Sequence, residues 1–395
     1  MDNIINKNII LLFFSQIFSF TAAPITVFLS GIIGSTMTNI QSLITLPTAM
    51  MIVGTSLGSV FASFLMSKIG RKYGFMSGTI ITSLSALLAS FAVINNFFIH
   101  YCISNFLIGI GFAFTAQYRF AAAESVTKKY IPTAISIILF GSMIGALVGP
   151  NVATYTKNLI QNNIYSGSYI FLSVLTIIPF FILIFYQNEK QNIIKKNNTY
   201  KKTRSYYALL SQPKFTQAVI GAGIGYVTMS FLMTATPISM HIIDKISIDK
   251  TSFVIQMHIL AMFLPSLFTG SLIKKYGHSN IMYLGIIILL FCIFLNFIDQ
   301  NFYNYLFALI FLGIGWNFLF ISGTSLLVLS YEPHEKFKSQ GLNDFTVFTT
   351  QASGALSAGI LLNLYNWQII NLLCIPLLLI VFFVIYRSEK LIKEN

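Results

Sequence analysis

Arg119, Glu124, His258 and Asp344 are ionisable side chains within or at the ends of long apolar stretches of this chain, whereas His100 and Asp299, at outer ends, are read as interfacial. A charge inside a bilayer is costly, so each of the first four is a functional candidate by default. Arg119 could hold an anionic group or a gate. Glu124, His258 and Asp344 could carry protons, and a histidine is the side chain that titrates near neutrality. Each also has a plainer reading. Arg119 could snorkel to the surface or pair with a neighbouring helix; Glu124 could sit at a helix end; His258 could be packed and hydrogen-bonded. Asp344 lies near a helix start, where the dipole favours an anion. At ~100° per residue, Gln117 and Glu124 share a helix face, whereas Arg119 is about 160° from one and 140° from the other. Glu124 is therefore not expected to neutralise Arg119 within its own helix. Gln340, Asp344 and Gln351 form one polar stripe by the same rule. No H-E-x-x-H, paired-carboxylate, zinc-spacing or Walker pattern occurs. Cys102, Cys292 and Cys374 all fall inside apolar segments, so no disulfide framework or metal site is expected. Neither an enzyme nor a cofactor is predicted.

The elements that must position these groups are membrane helices. The chain is 55% hydrophobic and 9% charged, with mean hydropathy +0.76, against about a quarter charged residues in a soluble domain. Runs near the ~20 residues of a spanning helix fall at 9–33, 40–66, 75–94, 98–122, 131–156 and 168–186. A second set falls at 215–240, 252–273, 280–298, 303–330, 339–363 and 367–386. The first run exceeds the ~7–15 residues of a signal-peptide core and is read as a retained span. Residues 1–186 and 215–395 are thus two bundles, joined by a basic, polar linker at 187–214. Twenty of the 24 Lys/Arg fall in segments that are cytoplasmic if the N-terminus is inside; Lys157, Lys245 and Lys250 fall opposite, and Arg119 lies in a span. That positive-inside bias places both termini in the cytoplasm, and it accounts for the net charge of +13 without a nucleic acid.

The two sets echo each other. Gly109-Ile110-Gly111-Phe112 returns as Gly313-Ile314-Gly315-Trp316, and Thr21-Ala22-Ala23-Pro24 returns as Thr234-Ala235-Thr236-Pro237. Two similar membrane halves suggest a transporter with its site between them. Pro24 and Pro237 each remove a backbone donor, tolerable where a span lines a cavity. Gly141, Gly145 and Gly149 recur every four residues before Pro150, as Gly54, Gly58 and Ala62 do earlier. Such stripes permit close helix approach, and we read them as packing between the halves. The charges are not duplicated: Arg119 corresponds to Gly323, Glu124 to Val328 and His258 to Met51.

The segment Ser63-Phe64-Leu65-Met66-Ser67-Lys68-Ile69-Gly70-Arg71-Lys72 follows the second span, and Gly270-Ser271-Leu272-Ile273-Lys274-Lys275-Tyr276-Gly277-His278 follows the eighth. Both resemble the G-x-x-x-D-[RK]-x-G-[RK]-[RK] loop of the major facilitator superfamily, where that superfamily carries it. Gln117–Glu124 and Gly341–Phe345 are similar to segments of a bacterial group within it. With the twelve spans, the resemblance covers essentially the whole chain. It implies an all-α membrane protein of the MFS fold, twelve transmembrane helices as two pseudo-symmetric six-helix bundles, in a bacterial cytoplasmic (inner) membrane. The expected activity is secondary transport of a small organic solute by alternating access, by a monomer in the lipid bilayer, with protons as coupling ion. Uptake of a polar or anionic nutrient fits Arg119; efflux of amphipathic compounds fits the 38 Phe; a sensor retaining the fold is a third reading.

In that family spans one, four, seven and ten line the cavity, which implies Arg119, Thr21, Thr26, Tyr226, Thr234, Trp316 and Asn317 as substrate residues. His258, Asp344 and Glu124 are the proton-coupling candidates. Ser67, Lys68, Gly70, Arg71, Lys72, Lys274, Lys275 and Gly277 form the cytoplasmic gate loops. Three departures stand out: Ser67 and Lys274 occupy the place of the loop acid, and Asn105 that of a customary arginine. Asp344 is read as replacing the missing acid and attracting Lys68 or Arg71. Gly145-x-x-x-Gly149-Pro150 resembles an exchanger motif, but Ala153 stands where that motif has a glycine.

Overall fold

The computed structural model describes residues 6–40, 43–161, 163–188 and 203–394; most of the expected linker, 189–202, lies outside the described residues. Among those residues ten helices are long and apolar enough to cross a bilayer, and one bent pair makes eleven. The twelfth passage is hidden in the longest helix. Leu46–Ile94 runs 49 residues, roughly 74 Å at 1.5 Å per residue, against about 30 Å of hydrocarbon. It breaks at Gly70, whose φ of 81° and ψ of 168° are not helical. In chain order the passages are α1 (Lys7–Met37), α2 and α3 (the parts of Leu46–Ile94 before and after Gly70), α4 (Phe98–Glu124), α5 (Lys128–Thr156) and α6 (Ser166–Leu183). There follow α7 (Pro213–Ile243), α8 (Ile248–Phe263 with Ser266–Tyr276), α9 (His278–Ile298), α10 (Phe302–Val328), α11 (Pro333–Leu364) and α12 (Trp367–Ile392).

The chain divides into two compact units. One comprises Met1–Val126, Ile137–Lys202 and Gln340–Phe345; the other comprises Thr127–Ser136, Thr203–Ser339 and Thr346–Asn395. The first therefore takes in a short piece of α11, and the second the beginning of α5.

Breaks within the passages have local causes. Pro24 cannot donate to the carbonyl four residues back, and α1 is interrupted at Thr21, whose hydroxyl donates to Phe18 O at 2.6 Å. After Pro237 the last turns of α7 widen into a π-helix, Ile238–Ile243. At Leu264-Pro265, α8 bends by 40°. Gly277 (φ 86°, ψ 162°) separates α8 from α9 much as Gly70 separates α2 from α3. A side chain is strained at such a φ, so both loops need glycine.

The repeated Gly-x-Gly is a two-sided packing device, and it fixes the register of the duplication. A Cβ added at Gly109 would fall on Met51 O and near Thr55 N; one at Gly313 would lie 2.8 Å from His258 O and 2.8 Å from Met262 N. A Cβ at Gly111 would meet Thr82 and Gly78 O; one at Gly315 would meet Leu289 and Gly285 O. Met51, Thr55, Gly78 and Thr82 become His258, Met262, Gly285 and Leu289 by one constant shift of 207 positions, which also carries Gly70 onto Gly277. The device thus wedges α4 between α2 and α3, and α10 between α8 and α9.

The stripe on α5 corrects its sequence reading. Added Cβ atoms at Gly141, Gly145 and Gly149 would meet Phe13 O at 3.2 Å, Ile17 O at 2.5 Å and Pro24 Cγ at 2.9 Å. The stripe packs on α1 inside one unit, and Gly54 and Gly58 likewise approach Phe106 and Ile110 of α4. A stripe of small residues specifies close approach without specifying the partner. Apolar side chains such as Leu57, Leu84, Ile287 and Phe383 remain exposed on the helices, as a lipid-facing surface requires.

Candidate functional site

Within the first unit, four charged side chains from α3, α4 and α11 form a buried cluster. Arg71 follows the Gly70 break, and the N-terminus of α3 there is capped by Asn188, whose Oδ1 accepts from Lys72 N at 2.9 Å. Arg71 is 4% exposed. Its Nε donates to Glu124 Oε2 at 3.1 Å, its Nη1 to Gln117 Oε1 at 3.2 Å and its Nη2 to Gln340 Oε1 at 2.6 Å. Gln340 closes the ring by donating to Glu124 Oε1 at 3.0 Å, and Gln117 donates to Ser63 Oγ at 2.6 Å. Gln117 and Glu124 share a helix face, and Arg71 fills it.

Arg119 faces elsewhere. Its guanidinium donates to Asp344 Oδ1 and Ala116 O and lies 4.5 Å from the centroid of the Phe120 ring. Asp344 is fully buried and also accepts from Asn343 Nδ2 at 3.0 Å, and among the described residues its second oxygen, Oδ2, has no hydrogen-bond partner. The ion-pair partner of Asp344 is therefore Arg119 and not Lys68 or Arg71, as the sequence reading had it. Lys68 is exposed over the Phe64 ring, too far toward solvent to serve. Two guanidinium groups meet two carboxylates, so the cluster can be buried without net charge. Arg71, Asn343 and Ser63 are the members that helix-face arithmetic did not bring together; the shared Gln117/Glu124 face was the one signal of a cation between them.

The remaining expected site residues are dispersed. Ser67 is exposed and donates to Phe64 O. Lys72 reaches Ile184 O, while Lys274 and Lys275 lie over the rings of Tyr130 and Tyr276, each at 4.9 Å. His258 is fully buried, with Nδ1 2.8 Å from Leu309 O. A carbonyl only accepts, so Nδ1 carries the proton, and Nε2 has no partner. Thr21 is spent on its own helix, Thr26 is buried with an unpartnered hydroxyl, and Thr234 is exposed.

Both ends of the Asn317 amide are hydrogen-bonded to α8. Its Nδ2 donates to Met262 O at 2.7 Å and Ser266 Oγ at 2.8 Å, and its Oδ1 accepts from Thr269 at 2.7 Å. It pins α10 to the bend at Pro265 by satisfying backbone that the bend releases. Asn317→Leu is expected to strand these groups, at about 1–3 kcal/mol for each buried polar group left unpaired, and to lower the thermal midpoint in detergent. An unchanged midpoint would remove the pinning role.

Beside Asn317, the second unit holds an aromatic cluster. Tyr226 of α7 meets Trp316 at 5.1 Å, Phe320 at 5.0 Å and Phe348 at 6.1 Å, each edge-on. Trp316 stacks on Phe320 (5.0 Å, 17°) and takes Phe263 of α8 edge-on at 5.7 Å. Trp316 is 1% exposed, and among the described residues its Nε1 has no acceptor. In the segment ahead of α7, Arg204 binds Glu335 through Nε at 2.9 Å and Nη2 at 2.6 Å, and Gln212 through Nη1 at 2.9 Å. The hydrogen bond to Glu335 raises the Arg204 guanidinium above its ordinary value. Among the described residues no group of His, Cys, Asp and Glu could hold a metal ion.

The sequence profile described as Major Facilitator Superfamily matches residues 9–243 and 218–394. The chain is 32% identical over 376 residues to the riboflavin transporter RfnT of Brucella anthropi, covering 95% of this chain and 94% of that one. It is 27% identical over 139 residues to the riboflavin transporter RibZ of Clostridioides difficile, covering 35% and 30%. Among solved structures, the human organic anion transporter MFSD10 (TETRAN) superposes with a TM-score of 0.76 at 12% identity, over 96% of this chain and 99% of that one. A bacterial homologue of the iron transporter ferroportin, in an outward-facing state, superposes with a TM-score of 0.69 at 11% identity, over 98% and 100%.

Proposed function

This chain belongs to the major facilitator superfamily of membrane transporters, and from that premise we propose that it transports riboflavin, or a solute built on the same flat ring system, by alternating access coupled to protons. The observation that carries the substrate is the near full-length similarity to a riboflavin transporter. The proton is assigned to Asp344, whose Oδ2 is buried and unpartnered beside Arg119. Protonation there removes the carboxylate that holds the guanidinium, so the ion pair and the proton alternate. The basic segments face the cytoplasm, together with both termini.

Proteoliposomes with an imposed pH gradient test this reading. Saturable riboflavin flux that follows the gradient and collapses with a protonophore is the expected result, and Asp344→Asn is expected to lose the gradient dependence. Riboflavin flux indifferent to the gradient would remove proton coupling. Absence of flux from protein shown to be folded would remove the substrate.

A further inference from the structure

We propose that the aromatic cluster of the second unit, Tyr226, Phe263, Trp316, Phe320 and Phe348, is the seat of the substrate's flat ring system, with Trp316 Nε1 donating a hydrogen bond to an acceptor on that ring. The inference rests on the transport reading above for the class of substrate, and on four features of the cluster for the place.

The first is the indole nitrogen. A buried N–H without an acceptor is left desolvated and unpaired, and a phenyl ring would fill a core position without that penalty. Trp316 is one ring of a stack whose other members are phenyl or phenol, so its N–H is the group that apolar packing does not account for. It gains a partner when a ligand brings an acceptor. A heteroaromatic ring with an apolar benzenoid side and a carbonyl- and nitrogen-bearing side supplies both stacking surface and acceptor.

The second is adaptability. Edge-on and offset-stacked ring pairs are attractive beyond their burial, so a flat ligand that replaces one ring contact with another exchanges like for like. Of the five rings Tyr226 is the partly buried one, and it meets Trp316, Phe320 and Phe348 edge-on. The third is anchorage: Asn317, the next residue along α10, is locked to α8 by three hydrogen bonds, which fixes the backbone that carries Trp316.

The fourth is asymmetry. The shift that carries Gly109 onto Gly313 pairs Trp316 with Phe112 and Phe320 with Ala116; that between the Thr-Ala repeats pairs Tyr226 with Phe13; the 207-residue shift pairs Phe263 with Ser56. The first half holds neither an indole nor the stacked pair at these positions. Duplication supplied the scaffold, and this cluster belongs to one half alone.

Fluorescence provides the test, because the chain has two tryptophans. Among the described residues the other, Trp367, also has a buried Nε1 without an acceptor, and its ring contact is with Tyr305, at 5.3 Å. It is the internal control. In full-length protein carrying Trp367→Phe, riboflavin and lumichrome (the ring system without the ribityl chain) are expected to quench Trp316 saturably, and ribitol is not. Quenching of Trp367 in the Trp316→Phe protein is expected to be weaker at the same occupancy. Trp316→Phe keeps a ring and removes the donor, so it is expected to raise the riboflavin KM about tenfold, the worth of one net hydrogen bond, with kcat little changed. Equal quenching of both tryptophans together with an unchanged KM would overturn the seat. Lumichrome quenching of Trp316 in a protein that does not move riboflavin would uphold the seat and reject the riboflavin reading. Failure of both compounds to bind would reject the two together.

Discussion

Asp344→Leu alone is expected to destabilise the folded protein by about 3–5 kcal/mol, because it strands a buried guanidinium. Arg119 is 4% exposed and reaches Asp344 from α4, so the cation loses its carboxylate while it stays buried. Arg119→Met alone is expected to cost less, since a stranded carboxylate is relieved by taking up a proton and a guanidinium is not. The double variant is expected to recover most of the stability lost by Asp344→Leu, because well-packed apolar side chains replace a buried pair at little cost. It is not expected to recover gradient-driven transport. Denaturation of the four proteins in detergent gives the coupling energy, and flux in proteoliposomes gives the activity. Additive losses would mean that the pair does not act as a unit. Full transport by the double variant would mean that the pair is structural only.

What could be read from the sequence was what the backbone itself demands. Gly70, Gly277 and the two Gly-x-Gly segments stand where a side chain would be strained or crowded, so their recurrence in both halves marked the duplication and the family. The family then accounts for the all-helical, two-set architecture. Partner choice was much less legible. Helix-face arithmetic separated Arg119 from Gln117 and Glu124, but did not reveal that Arg71 meets those two while Asp344, 225 positions away, meets Arg119. That depends on which face of α11 is presented, and a polar stripe alone does not say what it faces. Asn317 was read as a cavity residue because span ten lines the cavity in the family. Its actual partners are set by a bend at Pro265, on another helix. The α5 glycines were assigned to the boundary between halves for the same reason: their spacing encodes a distance and no identity.

The glycines also yield the second large effect, and it separates packing glycines from idle ones. Gly109→Ala places a methyl group on Met51 O, and Gly313→Ala places one 2.8 Å from His258 O. In each case the obstacle is main chain, which cannot rotate away as a side-chain tip can. The helices must part, so α4 loses its seat against α2, and α10 loses its seat against α8. Overpacking of this kind costs about 1–3 kcal/mol and occasionally more; both variants are expected at or above the upper end. Gly31→Ala and Gly359→Ala are the contrast, since an added Cβ there meets nothing within 4 Å. In those helical positions alanine is favoured over glycine by up to about 1 kcal/mol, so both are expected to be neutral or slightly stabilising. Thermal unfolding of the four variants in one detergent makes the comparison. If Gly109→Ala and Gly313→Ala unfold with Gly31→Ala, the repeated segment is not a packing wedge. If only one of the pair is costly, the two halves do not share the register that the 207-residue shift assigns them.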